Sequence, residues 1–424
     1  MKADEVSLLR ELASRYAEIA ARPENAEREH RARQVNGLVE ARPLVWVDEV
    51  PWHELVQSGE LTLHCEDERA RQMEHFFRKK LYQWKHFQGD MVAEPFYRVA
   101  KSWESTGIGV EIEEHRRSVD DRNNIYSHEY IDQLDSMEAL ERLHVPVITA
   151  HPERDAENVK WAEEILRGIL PVRLTSGYLY CSPWDQIAML RGMEPMLMDL
   201  VCEPELMHAT MKKFVEIFTA EIDQRDALGL FDNDIPDLHC TPGYCDELDE
   251  KAAQGLKGRA VSSWYRGMAQ PFSSVSPDMF EEYEVEYILP MAERFGLSYY
   301  GCCEPLHDRM DRIFRIPNLR KVGVSSWADV ERSAELLGKD YVYARKPNPA
   351  LVAGDLDEDA IRAEARATLA ACRKYGCPCE FVLKDISTVG YRPENLTRWV
   401  ELMESVIDEY YEERGVRGGT RFLS

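Results

Sequence analysis

Residue types that carry chemistry are concentrated in the segment Leu297-Ser-Tyr-Tyr-Gly-Cys-Cys-Glu-Pro-Leu-His307. A short run of β-forming residues is followed there by two thiols, a carboxylate and an imidazole, which belong to Cys302, Cys303, Glu304 and His307. Cys, Glu and His are residue types that bind zinc or activate a nucleophile. We therefore predict that this strand end faces a functional cleft.

A second group of such residues lies upstream, in Asp237-Leu-His-Cys240. Zinc requires three or four ligands that converge on one point, so more than one strand end must contribute. We predict a zinc site formed by His239, Cys302 and Glu304, with Cys303 and His307 as alternate ligands. The cysteines have two other interpretations, as small packing residues or as a metal-free reactive thiol. His239 also has a second interpretation, as a structural histidine bonded to a carboxylate.

Polar and aromatic residues recur at the ends of other predicted strands. We predict acid–base roles for four residues: Asp234, His239, Lys384 and Asp385. Substrate contacts are predicted for five, because an arginine fork matches a carboxylate and aromatic rings suit a planar or apolar ligand: Tyr178, Tyr180, Trp264, Arg266 and Arg345. The alternative for these residues is ordinary ion pairing and core packing.

The remaining cysteine motif is not expected to bind a metal. Cys377-Pro-Cys379 has C-x-C spacing, which is shorter than the usual zinc loop. Cys202 and Cys372 lie in helical patterns and are interpreted as packing residues.

The pattern of elements predicts how these residues are positioned. Short β-type runs alternate with amphipathic helices, and eight strands are predicted at residues 44–50, 172–177, 228–235, 260–265, 297–302, 319–325, 341–345 and 380–385. This alternation favours an α/β fold, a (β/α)₈ TIM barrel, in which the active site lies at the carboxyl ends of the strands. The predicted organisation is an N-terminal helical extension at 1–43, the barrel at 44–414 with a helical insertion around 66–170, and a tail at 415–424.

Charge and composition narrow the functional classes. The 424 residues carry a formal net charge of −25, which opposes binding to nucleic acid or to an anionic membrane surface. The sequence has neither an apolar run long enough to span a membrane nor an apparent secretion signal, so we expect a cytoplasmic protein. The ten cysteines are then expected to be thiols or ligands rather than disulfides.

Several helix motifs resemble those of the uroporphyrinogen decarboxylase superfamily. The matching stretches are Trp184-Asp-Gln-Ile-Ala-Met-Leu-Arg-Gly-Met-Glu194, Met198-Asp-Leu-Val-Cys-Glu-Pro-Glu-Leu-Met-His208, Ser276-Pro-Asp-Met-Phe-Glu-Glu-Tyr283 with Tyr287-Ile-Leu-Pro290, and Tyr391-Arg-Pro-Glu-Asn-Leu396. The superfamily includes the decarboxylase and the cobalamin- or corrinoid-linked zinc methyltransferases. The resemblance implies a (β/α)₈ barrel, in agreement with the strand pattern.

Two departures bear on the chemistry that the resemblance implies. The decarboxylase carries an arginine-containing "R-Q-A-G-R-Y" run near its N-terminus, whereas Leu44-Val-Trp-Val-Asp-Glu-Val50 contains no arginine. The methyltransferases carry H-x-C where this chain has Tyr300-Gly-Cys302, so the cysteine matches and the histidine does not.

The leading hypothesis is therefore an enzyme, a cobalamin- or corrinoid-linked methyltransferase assisted by zinc. Its corrinoid would be supplied by a partner protein or would act as a substrate, and its other partner would be a small molecule. The alternatives are a decarboxylase of a porphyrinogen-like or other carboxylic acid, and a non-catalytic tetrapyrrole-binding barrel. The sequence does not fix the oligomeric state, and a homodimer is retained as one arrangement.

Overall fold

The computed structural model describes residues 2–117 and 126–412. The predicted tail at 415–424 lies outside the described residues. Within them the chain divides into two compact units, the first made of residues 2–97, 163–171 and 330–412 and the second of the remaining residues from 98 to 329. Each unit is described by itself below.

The strands are short. They are β1 (Leu44–Val47), β2 (Tyr97–Ala100), β3 (Trp103–Ser105), β4 (Glu114–Arg117), β5 (Ser127–Tyr130), β6 (Ile148–Ala150), β7 (Val172–Thr175), β8 (Leu179–Cys181), β9 (Trp264–Gly267), β10 (Leu297–Tyr300), β11 (Leu319–Val324), β12 (Val342–Arg345) and β13 (Cys379–Leu383).

Helices account for most of the remaining described residues. They are α1 (Ala3–Ala20), α2 (Pro23–Asn36), α3 (Glu68–His86), α4 (Met137–Leu140), α5 (Pro152–Leu166), α6 (Pro183–Arg191), α7 (Met193–Cys202), α8 (Pro204–Ala227), α9 (Asp246–Lys251), α10 (Pro277–Phe280), α11 (Glu286–Ala292), α12 (Met310–Ile313), α13 (Val330–Leu337), α14 (Glu358–Tyr375) and α15 (Glu394–Glu412). Within this part of the chain, no helix combines the length and the apolar character that crossing a bilayer requires.

Parallel strands form the centre of each unit. In the first unit the order is β1–β13–β12, with Leu44 opposite Glu380 and Tyr343 opposite Cys379. In the second it is β8–β9–β10–β11, with Leu179 opposite Tyr265 and Leu297 opposite Trp264. Every residue of β1, β9, β10, β12 and β13 is buried, as expected for parallel strands covered on both faces.

The α/β class and the parallel strands are confirmed, but a closed eight-stranded barrel is not observed. The described residues contain seven strands in these two parallel sets, and neither set closes on itself. Six predicted strands are present with shifted ends, as β1 and β9 to β13. The strand predicted at 172–177 is instead β7, which pairs with β2 in a two-stranded sheet, and β8 was not predicted.

The strand predicted at 228–235 is reduced to a single parallel bridge between Gly177 and Phe231. Gly229 has φ +65° and the Asp232 carboxylate accepts hydrogen bonds from the backbone amides of Ser176 and Asn233. Short polar side chains that bond to nearby backbone groups compete with the regular strand ladder. The segment contains apolar residues typical of a strand, but its polar residues end the pairing after one bridge.

Two helices show how local sequence signals set helix ends. The Ser276 hydroxyl accepts a hydrogen bond from the backbone amide of Met279 at 3.2 Å, and α10 begins at Pro277. Asp357 caps α14 in the same way through Ala360 at 2.9 Å, and Gly376 ends that helix with φ +77°. These ends are encoded locally, because caps satisfy backbone groups that the helix itself leaves unbonded.

Candidate functional site

Two thiols and an imidazole meet at the carboxyl ends of the strands in the second unit. The Cys302 Sγ lies 3.8 Å from the His239 Nε2 and 3.7 Å from the Cys303 Sγ. Cys302 is buried, whereas His239 and Cys303 are half-buried. Tetrahedral zinc with ordinary bond lengths would separate a sulfur from a nitrogen ligand by about 3.6 Å and two sulfur ligands by about 3.8 Å. Each observed separation by itself matches a pair of zinc ligands, but the ligand atoms of all three residues do not lie within 4.8 Å of one another, so the cluster is not a preformed three-ligand site.

The thiol turn, defined as residues 301–304, depends on a close approach of two backbones. Gly301 has φ +88°, which favours glycine, and it follows β10 directly. A Cβ atom placed on Gly323 of β11 would lie 2.7 Å from both the carbonyl carbon and the oxygen of Gly301. Only glycine at position 323 allows this approach, which places Cys302 beside the end of β11.

The Glu304 carboxylate stabilises the thiol turn through hydrogen bonds to backbone amides. It is buried, and its two oxygens accept hydrogen bonds from the backbone amides of Cys302 at 2.9 Å and Ala269 at 3.3 Å. Burial, followed by the nearby Cys302, raises the pKa of this carboxyl above its usual value. The predicted metal-ligand role of Glu304 stays a prediction, and the observed contacts point to a positioning role instead.

Arg266 ties the surrounding strand ends together. All three of its guanidinium nitrogens donate to backbone carbonyls, those of His239 at 3.0 Å, Gly267 at 2.9 Å and Gly301 at 3.1 Å. The guanidinium also lies over the Tyr299 ring, 3.8 Å from its centroid. Burial lowers the pKa of Arg266, but neighbouring groups, including Tyr299 and Cys302, raise it by a larger amount. The net shift is upward, so the guanidinium stays charged. Arg266 was predicted to bind substrate; the structure surrounds it with protein acceptors.

Asp185 is a titratable neighbour that the sequence did not single out. It lies in the first turn of α6, where its carboxylate is in hydrogen-bond contact with the Ser182 hydroxyl. Burial raises the pKa of Asp185 to about 7, and the negative charges at Glu304 and Cys302 act in the same direction. The available signal was a Ser-Pro-x-Asp helix start after an apolar run, which also describes an ordinary capped helix.

A second carboxyl group lies deeper, at Glu284. The Tyr300 hydroxyl donates to its Oε1 at 2.9 Å, while its Oε2 is buried without a hydrogen-bond partner. Burial raises the pKa of Glu284 well above its usual value, with further increases from Asp185 and Glu304. Glu284 therefore belongs to the buried interior next to the site.

Other predicted residues of the second unit have separate surroundings. The Asp234 Oδ2 lies 3.2 Å from the Arg98 Nη2 in an ion pair. Trp264 is buried in the core, and its ring nitrogen donates to the carbonyl of Gly243 at 2.8 Å.

Three further side chains complete the predicted set in this unit. The Tyr180 ring meets His239 edge-on at 5.0 Å, and its hydroxyl donates to the Met268 Sδ at 2.7 Å. The His307 Nδ1 accepts a hydrogen bond from the backbone amide of Asp329 at 3.4 Å. Tyr178 is half-buried in the segment before β8. Tyr180 is therefore in contact with the His239 and Cys302 cluster through the His239 ring.

The remaining predicted residues belong to the first unit. The Lys384 Nζ lies 3.1 Å from the Asp385 Oδ2 and 3.4 Å from the Glu49 Oε2. Burial raises the pKa of Glu49 to about 7, although the Lys384 charge lowers it. Arg345 pairs with Glu364 at 2.6 Å. The ion-pairing interpretation describes these basic residues, and their predicted functional roles stay predictions.

Comparison with known proteins gives matches among solved structures alone. No family model matches the chain, and no curated protein matches it. A solved methyltransferase from Methanosarcina mazei is similar to this chain with a TM-score of 0.47 and 13% sequence identity, over 91% of this chain and 99% of that one. A likeness of this degree assigns neither a fold nor an activity.

Proposed function

We propose that the chain is a methyltransferase-like enzyme of the uroporphyrinogen decarboxylase superfamily, in which His239, Cys302 and Cys303 hold a zinc ion. The observation that carries the proposal is the pair of ligand separations at Cys302, 3.8 Å to His239 and 3.7 Å to Cys303. A shared ion would in addition draw the His239 and Cys303 side chains closer together than they lie here. Cys303 replaces Glu304 in the ligand set predicted from the sequence, because both Glu304 oxygens already accept backbone hydrogen bonds.

The choice of zinc follows from the donor set. Two thiolates and one imidazole are typical zinc ligands, and three protein ligands leave a fourth position for a reacting group. A zinc ion bound there would act as a Lewis acid that favours the thiolate form of a substrate thiol or polarises a leaving oxygen. The resemblance of Cys302 to the cysteine of the methyltransferase H-x-C pattern favours methyl transfer as the reaction in which this chemistry is used.

The protein residues around the ligands have distinct roles in this proposal. Arg266 positions the His239 and Gly301 backbones and places a buried positive charge near Cys302, which favours the thiolate. Glu304 fixes the thiol turn. Asp185, with a pKa of about 7, holds or releases a proton near neutral pH beside the cluster. The corrinoid cofactor and the partner protein that would supply it rest on the sequence motifs alone.

The decarboxylase alternative has less support. It assigns Arg266 to a substrate carboxylate, but the three guanidinium nitrogens of Arg266 donate to backbone carbonyls. Arg345 and Lys384, the other predicted carboxylate ligands, form ion pairs within the first unit. The basic residues are thus already occupied by protein groups.

Metal content of defined variants tests the proposal. Elemental analysis of the full-length chain is expected to give about one zinc per chain, with loss of that zinc in Cys302→Ser, Cys303→Ser and His239→Asn. Cys202→Ser is the matched control, because Cys202 is exposed on α7. Methyl transfer from a methylated corrinoid to a thiol acceptor should fall with the zinc content. Equal zinc content in all five proteins, or zinc-free protein of undiminished activity, would contradict the proposal.

A further inference from the structure

A second group of thiols is located where α14 ends in the first unit. Tyr375 is the last helical residue, and Gly376 follows it with φ +77°. The backbone amides of Gly376 and Cys377 both point to the carbonyl of Cys372, the latter at 2.9 Å. This is the Schellman arrangement, in which the side chains of the third residue before the cap and the second after it touch. Both positions are cysteine here, so the helix end itself brings Cys372 and Cys377 together.

A third thiol joins this pair from the next strand. Cys379 begins β13, and its thiol donates to the carbonyl of Glu380 at 3.8 Å. The thiols of Cys377 and Cys379 are both near enough to Cys372 to influence the pKa of its thiol. The Cys377 thiol also donates to the carbonyl of Ala334 at 3.2 Å. All three cysteines are free thiols. We call Cys372, Cys377 and Cys379 the helix-end thiols.

The helix-end thiols line a cavity of about 290 Å³. Cys372 and Cys379 are buried and Cys377 is half-buried, so the cavity gives an entering ion access to sulfur. Lys339 and Arg373 line the same cavity, and the Arg373 guanidinium lies 5.4 Å from the ring centroid of Tyr410. Glu40 lines the cavity as well, so it combines soft donors with two positive charges and one carboxylate.

We propose that Cys372 and Cys377, as a two-sulfur pair, bind a soft, monovalent d¹⁰ metal ion of the Cu(I) class. Soft thiolate donors select such ions over hard cations. In the binding step two thiols lose their protons to solvent and two metal–sulfur bonds form, which leaves a complex with one negative charge. Lys339 and Arg373 compensate that charge, and no change of oxidation state is involved.

The proposal also predicts that the protein releases protons when it binds the ion. Burial raises the pKa of Cys372, and hydrogen bonding to Cys372 together with burial raises the pKa of Cys377. Both thiols are therefore protonated at neutral pH, and binding must release about two protons per ion. Affinity then increases with pH, by about 100-fold per unit while both protons are displaced.

Competition for Cu(I) tests the site directly. Reduced full-length protein would compete with a chromophoric chelator for Cu(I) at pH 6.5 and 7.5. Cu(I) is the only metal ion added. We expect Cys372→Ser and Cys377→Ser each to weaken binding at this site by more than 10-fold and to reduce its proton release. Cys202→Ser is the control for a cysteine outside the group. Cys302→Ser separates this site from the proposed zinc site and should leave the binding measured here unchanged.

The outcomes remain decisive if one variant folds poorly. Cys377 is half-buried, so Cys377→Ser is the variant expected to keep the wild-type unfolding temperature. In wild-type protein, Cu(I) should protect the peptide containing Cys372 and Cys377 from alkylation, as read by mass spectrometry. Wild-type affinity in a folded Cys377→Ser protein, or alkylation of these two cysteines unaffected by Cu(I), overturns the proposal.

Discussion

The two cysteine clusters of this protein are organised by different physics. In the second unit, Cys302 and Cys303 lie at strand ends, on a turn held by buried charged groups, Arg266 and Glu304. In the first unit, Cys372 and Cys377 are brought together by one helix end, and burial raises the pKa of the Cys372 thiol. The Cys302 and Cys303 cluster thus depends on contacts between distant segments, whereas Cys372 and Cys377 depend on a local motif at one helix end.

Removing the buried charge should give the largest effect. Arg266→Leu leaves three buried carbonyls without their donors, so we expect a loss of about 3 kcal/mol or more in the free energy of unfolding. The matched variant at the other cluster is Arg373→Gln, which changes an exposed side chain and should cost less than about 0.5 kcal/mol. Urea denaturation measures both. Equal losses would remove the contrast between the two clusters.

The glycines that position the two clusters give the next test. Gly323→Ala places a methyl group 2.7 Å from backbone atoms of Gly301, and we expect a cost of about 2–3 kcal/mol. Gly376→Ala meets open space, with its nearest contact 3.9 Å away, so its cost is the left-handed conformation alone, about 1 kcal/mol. The unfolding temperature of Gly323→Ala should therefore be lower than that of Gly376→Ala. The reverse order would show that the thiol turn does not depend on the backbone contact.

The pH dependence of stability gives the smallest effect. Asp185 has a folded-state pKa of about 7, raised from 3.8, so the folded state binds more protons than the unfolded state between these values. Its contribution to stability is therefore present at low pH and is lost as the pH rises toward 7. Asp185→Asn should gain about 1–2 kcal/mol relative to wild type between pH 6 and pH 8, by urea denaturation at both. An unchanged difference across this range would place the Asp185 carboxyl in water.

Much of the fold could be predicted because its signals are local. The caps at Ser276 and Asp357 and six of the parallel strands follow from short patterns of polar and apolar residues. The strand predicted at 228–235 failed because Asp232 bonds to nearby backbone groups, and sequence periodicity does not report which group a side chain will bond. The strand β8 was missed because three residues between turns carry too little pattern.

In the candidate site, too, some features could be predicted from the sequence and others depend on packing. His239, Cys302 and Cys303 were selected by residue type, and the structure brings Cys302 within 3.8 Å of both other groups. The partners of Arg266, the carboxyl of Asp185 and the enclosure of Glu304 depend on segments distant in the chain. The sequence pattern did not predict that Cys372 and Cys377 flank the same helix end. A helical pattern predicts which residues pack, but it does not identify two cysteines on either side of one cap.

By itself, the amino-acid sequence determined the α/β class, most helix ends and the residue types able to bind a soft metal ion. These properties depend on neighbours a few residues apart, where hydrogen bonding and apolar periodicity act directly. Only the tertiary structure decided which donors converge, which charges are buried and which thiols are held near a cation. Those outcomes depend on desolvation and on distances between strand ends, and both are set by packing across the whole unit.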